Sequence, residues 1–127
     1  MPILGLDYGR KKIGVALATS MLAEAYDVIR YESVNEAIEK IERVAKKEKV
    51  KKVVVGVSEG KMAKESRNFG LHLEKELGIK VIFQDETMTT KDAERLSIEA
   101  GIQRKKRKKF EDAYAAALIL QNFLEKP

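Results

Sequence analysis

The sequence predicts an α/β fold in which a five-stranded mixed sheet carries helices on both faces, and three observations lead there. Ile3 to Tyr8 and Ile13 to Ala18 are strand-like apolar runs joined by the tight connection Gly9-Arg10-Lys11-Lys12, which reads as a β-hairpin. Val53-Val54-Val55-Gly56-Val57 is a continuous apolar run of the kind found in central strands covered on both sides. Segments with helical apolar spacing follow the strands, giving the order β-β-β-α-β-α-β-α-α, which a mixed sheet satisfies with short crossovers.

Each element has its own signal. Tyr26 to Tyr31 reads as the third strand. Ser33 and Glu36 then form a capping box for a helix whose apolar stripe is Val34, Ala37, Ile38, Ile41, Val44 and Ala45. Ser58-Glu59-Gly60 closes the central strand, and a helix from about Met62 to Leu77 stops at Gly78 before a strand over Lys80 to Phe83. Thr89 or Thr90 caps the next helix, which ends at Gly101, and a last, mostly apolar helix finishes near Leu124.

The 127 residues, 44% of them apolar, suit one domain spanning residues 1–127 with a single core. There are no cysteines, which excludes a disulfide framework, a thiolate zinc site and a cysteine nucleophile, and fits a reducing cytoplasm. No apolar run reaches the roughly 20 residues needed to span a bilayer. The single histidine, His72, lies in a helical segment as a solvent-facing or half-buried structural residue, so no Ser-His arrangement is available. The four tyrosines form no stacking series of the kind that binds single strands.

The chemistry-bearing residues are acids at element boundaries. Asp7 ends the first strand, and alternation places Ile3, Gly5 and Asp7 on one face, with Gly5 and Gly9 leaving room beside the acid. Asp85 and Glu86 are consecutive and point oppositely if their strand continues, so one of them enters a site with Asp7. On the last helix Asp112 shares a face with Ala115, Ala116, Ile119 and Phe123, whereas Glu111 sits about 100° away. The alanines let this helix lie close to the sheet. Three converging carboxylates are tolerable only with cations or raised pKa values, and a divalent metal is the economical answer. Taken singly, each acid is as well explained as a turn residue or a first-turn partner of a helix dipole.

The charge distribution points to a polyanionic partner. Arg104, Lys105, Lys106, Arg107, Lys108 and Lys109 supply six successive positive charges, so that of the net +5 the remaining chain carries −1. A solvated, self-repelling loop is the bland explanation. The run leads directly to Asp112, however, and would deliver phosphates drawn to it beside the acids.

These residues carry a resemblance. Gly5-Leu6-Asp7-Tyr8-Gly9 with Ile13-Gly14-Val15-Ala16, then Asp85-Glu86-Thr87-Met88-Thr89-Thr90, then Arg104-Lys105-Lys106 with Asp112-Ala113-Tyr114-Ala115-Ala116 and Ile119-Leu120-Gln121 are similar to the YqgF/RuvX family of nucleases. The match runs nearly end to end. It implies an RNase H-like fold and a cytoplasmic nuclease, described both as a processor of the 5′ end of precursor 16S rRNA and as a Holliday junction resolvase. The family's acidic triad falls on Asp7, Glu86 and Asp112. Thr87 stands where the family commonly has arginine, and Gly56-Val57-Ser58-Glu59-Gly60 is shorter than the family's Gly-Leu-Pro loop and lacks its proline.

The resemblance implies one or two Mg²⁺ ions, with Mn²⁺ as a substitute, that activate water and stabilise the leaving 3′ oxygen in phosphodiester hydrolysis. Lys11, Lys12 and the run Arg104, Lys105, Lys106, Arg107, Lys108 and Lys109 would grip the backbone of structured RNA or branched DNA. A homodimer would suit a resolvase that cuts two strands. Two other classes remain: a non-catalytic RNA-binding ribosome-assembly factor, and an actin-like ATPase half, for whose second domain and adenosine site the chain leaves no space.

Overall fold

The computed structural model describes residues 2–85 and 110–125. Its five strands are β1 (Ile3–Asp7), β2 (Lys12–Ala18), β3 (Ala23–Arg30), β4 (Lys52–Val57) and β5 (Lys80–Asp85), with helices α1 (Val34–Lys47), α2 (Lys61–Leu77) and α3 (Glu111–Glu125). The sheet order is β3-β2-β1-β4-β5. β1 is antiparallel to β2, and β2 to β3, while β1, β4 and β5 run parallel. The expected helix over residues 89–101 lies outside the described residues.

The sheet separates two cores. On one face Leu4, Leu6, Ile13, Val15, Val53 and Val55 pack against α1 and α2. On the other, Ala16, Ala18 and Val54 meet Ala116, Ile119, Leu120 and Phe123 of α3. β4 therefore buries both its faces, which is why its sequence is apolar without alternation. α1 starts as its sequence requires: the Glu36 N–H donates to the Ser33 side chain, and the Glu36 carboxylate accepts from the Glu32 N–H. Val34 is the exception on its stripe, exposed in the first turn. α2 stops at Gly78, whose φ of 66° is left-handed.

Two strands are longer than their apolar pattern suggests. β3 begins at Ala23, because the Ala23 N–H donates to the Gln121 side chain at 2.8 Å and the strand carries an extra residue. Val15 pairs with Asp27 and Ala16 with Ala25, leaving Tyr26 as a bulge over the α1 side, its hydroxyl on Glu48 at 2.8 Å. β5 continues through Gln84 and Asp85, which pair with Gly56 and Val57; the ladder, not hydrophobicity, holds them extended.

Candidate nucleic-acid hydrolysis site

Asp7 is the last residue of β1, and the C-terminal ends of β1, β4 and β5 share one edge of the sheet. Directly opposite Asp7 in the antiparallel ladder is Gly14. A Cβ on Gly14 would stand 1.8 Å from the Asp112 carbonyl oxygen, so the first turn of α3 rests on the bare backbone at this position. Cross-strand partners present their side chains on the same face. Asp7 therefore faces the side of the sheet on which Asp112 arrives, and both are half-buried. Glu111 is exposed, as the helical wheel requires.

The sequence suggests room for something bulky beside the acid at Gly5. α3 occupies it instead: a Cβ there would meet the Leu120 Cβ at 2.8 Å and the Ala116 carbonyl oxygen at 3.0 Å. Gly5 and Gly14 together thus form a seat for the helix, and the acid pair follows from how closely that helix can approach. Glycine inside an apolar strand is the signal that identifies such a seat in sequence.

The third candidate acid, Glu86, lies outside the described residues, as do Arg104, Lys105, Lys106, Arg107, Lys108 and Lys109. Asp85, the residue before Glu86, closes β5 at the same edge as Asp7 and is exposed. Among the described residues no group of three or more His, Cys, Asp or Glu side chains could hold a metal ion. A cation nevertheless stands at the site, since the Lys12 ammonium lies 3.0 Å from the Asp112 carboxylate, with both side chains partly exposed. Carboxylate oxygens are the donor type that Mg²⁺ takes, and the Lys12 ammonium stands on one of them here.

The hairpin loop bearing Lys11 is held from both sides. The Tyr31 hydroxyl donates to the Gly9 carbonyl, and the Tyr31 N–H donates to the Lys11 carbonyl at 3.1 Å. Burial, reinforced by the neighbouring Tyr8 hydroxyl, raises the Tyr31 phenol well above the usual tyrosine range. On the other side the Arg10 guanidinium makes a two-pronged contact with Glu65 of α2, at 2.7 to 3.2 Å. Hydrogen bonding from Arg10 holds the Glu65 carboxyl below its ordinary range. Neither clamp is legible from sequence, because Arg10 and Glu65 lie 55 residues apart without a motif. His72 is half-buried in α2, 3.7 Å from Glu76 one turn on, and takes no part in the site.

The family model described as "RuvX: Holliday junction resolvase" matches residues 1–126. The chain belongs to the RuvX family. RuvX relatives described as candidate pre-16S rRNA nucleases include one from Caldanaerobacter subterraneus subsp. tengcongensis, 42% identical over 98% of this chain and 96% of its own. Another, from Lactococcus lactis subsp. lactis, is 40% identical over 97% of this chain and 93% of its own. Among solved structures, Thermus thermophilus RuvC bound to a Holliday junction superposes with a TM-score of 0.68 at 18% identity, covering 98% of this chain and 94% of that one. The fowlpox virus Holliday junction resolvase gives 0.64 at 16% identity over the whole of both chains. These likenesses establish the RNase H-like fold for this RuvX member. No helix among the described residues is long and apolar enough to cross a membrane.

Proposed function

We propose that this RuvX member is a metal-dependent endonuclease that hydrolyses nucleic-acid phosphodiesters, processing the 5′ end of precursor 16S rRNA in the cytoplasm, with residues 1–127 acting as one nuclease domain. The observation that carries this reading is the seating of α3, which puts Asp112 over Gly14, the ladder partner of Asp7. Two acids carried to one sheet edge by distant elements favour a cationic ligand there. Family membership supports nuclease chemistry, and the names of the relatives support ribosomal RNA as the target.

Asp7 and Asp112, joined by Glu86 from the segment after β5, would hold Mg²⁺ or Mn²⁺. What such an ion supplies when bound is positive charge, which activates water for in-line attack and offsets the charge on the departing 3′ oxygen. The chain's own residues do the rest. The carboxylates would hold the ion at the sheet edge, Lys12 neutralises charge beside Asp112, and Lys11 with Arg104, Lys105, Lys106, Arg107, Lys108 and Lys109 binds backbone phosphates without reading bases.

The test is side-by-side Mg²⁺-dependent digestion of a precursor 16S rRNA fragment and a four-way DNA junction by wild type and Asp7→Asn. Cleavage of the RNA by wild type alone, with affinity retained in the variant, is the expected result. Cleavage retained by Asp7→Asn would reject the assigned role of Asp7, and binding without turnover by wild type would leave an RNA-binding assembly factor. The family model's description favours a second reading, junction resolution, which predicts cleavage of the DNA arm and a homodimer carrying two sites.

A further inference from the structure

Resting on the nuclease reading above, we infer that the substrate's phosphodiester backbone leaves the acid pair over the β3 edge, along a basic groove centred on Arg30 and Lys11. The track starts at Lys12, whose ammonium is at Asp112. Arg30 is the direct ladder partner of Lys12, so the two side chains stand on the α3 face, one strand apart. Arg30 ends β3, is exposed, and has no ionic or hydrogen-bonded side-chain partner among the described residues. Lys11 is likewise exposed and unpaired among them.

At the same end of the sheet, Arg10, Lys11, Arg30, Tyr31 and Lys40 line an open groove of about 650 Å³ together with Glu32 and Glu36. Four cations and two acids line it, on the α1 side of the sheet, which a backbone from the acid pair reaches by crossing the β3 edge past Arg30. Glu36 is engaged locally, by the Lys40 ammonium at 3.0 Å and by the Glu32 N–H. Arg10 is engaged by Glu65. The cations left to an incoming polyanion are therefore Arg30 and Lys11, with the Glu32 carboxylate beside them, a net of one positive charge. Both are carried on fixed backbone: Lys40 donates to the Arg30 carbonyl at 2.7 Å, and Tyr31 anchors the Lys11 loop. Pre-positioned cations lose less freedom on binding than lysines on a mobile loop.

The groove is open and lacks the convergent, enclosed donors that a small phosphate ligand needs. Its distance from the acids argues instead for a polymer. β3 lies two strand spacings from β1, about 10 Å, which at about 3.4 Å of rise per nucleotide is some three nucleotides of a paired strand. A strand cut at Asp7 and Asp112 would reach Arg30 only if it continued that far.

The experiment measures binding of catalytically silent Asp7→Asn protein, with and without Arg30→Gln and Lys11→Gln, by fluorescence anisotropy across a salt series. RNA and DNA duplexes of one sequence are used, each either ending at the cut site or extending about ten nucleotides beyond it. The track predicts that the double substitution weakens binding of the extended duplexes about tenfold or more and lowers the slope of log K against log salt by about two contacts' worth, roughly 1.8. Truncated duplexes lose much less, and Arg30→Lys restores part of the slope. An unchanged slope for extended duplexes, or equal losses for both lengths, overturns the track while leaving the nuclease reading intact. Wild type that neither cleaves nor binds any of these nucleic acids overturns both.

Discussion

Replacing Gly14 with alanine tests the whole arrangement of the site, because it perturbs the seat without touching an acid. The new Cβ would lie 1.8 Å from the Asp112 carbonyl oxygen and 2.9 Å from the Ala113 nitrogen, against an ordinary contact distance of 3.4 Å or more. Both clashing atoms are backbone, so no rotamer change relieves them, and the first turn of α3 must retreat by roughly 1.5 Å. Overpacking of this kind costs about 1–3 kcal/mol, from which the better strand behaviour of alanine recovers about 0.5–1 kcal/mol. A displacement of an ångström at reacting groups costs about 100-fold in rate. Gly5→Ala is the matched control: it meets the Leu120 Cβ at 2.8 Å, two turns further along the same helix. Circular dichroism during denaturant unfolding reads stability, and single-turnover cleavage at a temperature where both variants are folded reads the site. The expectation is destabilisation in both, larger in Gly14→Ala, with cleavage falling about 100-fold only in Gly14→Ala. Wild-type cleavage and stability in Gly14→Ala, or equal rate losses in the two variants, would refute the reasoning.

Lys12→Met should change unfolding free energy by less than about 1 kcal/mol, since its partner is a half-exposed carboxylate; nucleic-acid affinity should nevertheless fall, read by anisotropy in the same preparation. Ser33→Ala removes the acceptor for the Glu36 N–H and should cost about 1 kcal/mol of stability, measured by denaturant unfolding, without altering cleavage. Tyr31, with its phenol pKa raised in the folded state, contributes stability that is fully present below pH 10 and is lost as pH rises from there toward the folded value. Unfolding midpoints should accordingly decline above pH 10, and Tyr31→Phe should flatten that alkaline decline.

Elements whose partners are local were legible from residues alone. The Ser33 cap, the Gly78 stop, the hairpin and the inward face of α3 at Asp112 all depend on neighbours within a few positions, where periodicity and capping chemistry apply. The early start of β3 was not legible, because Ala23-Glu24-Ala25 has no strand-like pattern and is held by Gln121 from far along the chain. The polar end of β5 is extended only through its ladder with Gly56 and Val57. For the proposed site, the sequence offers Asp7 and Asp112 as candidates, while what brings them to one edge, the bare backbone at Gly14, emerges only when the register is known. Arg30 was overlooked for the same reason: a lone arginine at a strand end is unremarkable until Lys12 proves to be its ladder partner.

The role of α3 bears on how the protein is made. This helix packs on β1, β2, β3 and β4, and Gln121 reaches back 98 residues to Ala23 and 100 to Met21. During synthesis the hairpin and the β1–β4 pairing can form while α3 is still in the ribosome, but Asp7 has no Asp112 to meet until the final helix emerges and docks. On the proposed reading, cutting power would arrive only once α3 has docked. The same delay leaves the lining of Ala16, Ala18 and Val54 uncovered, so late folding intermediates should be the species most prone to self-association.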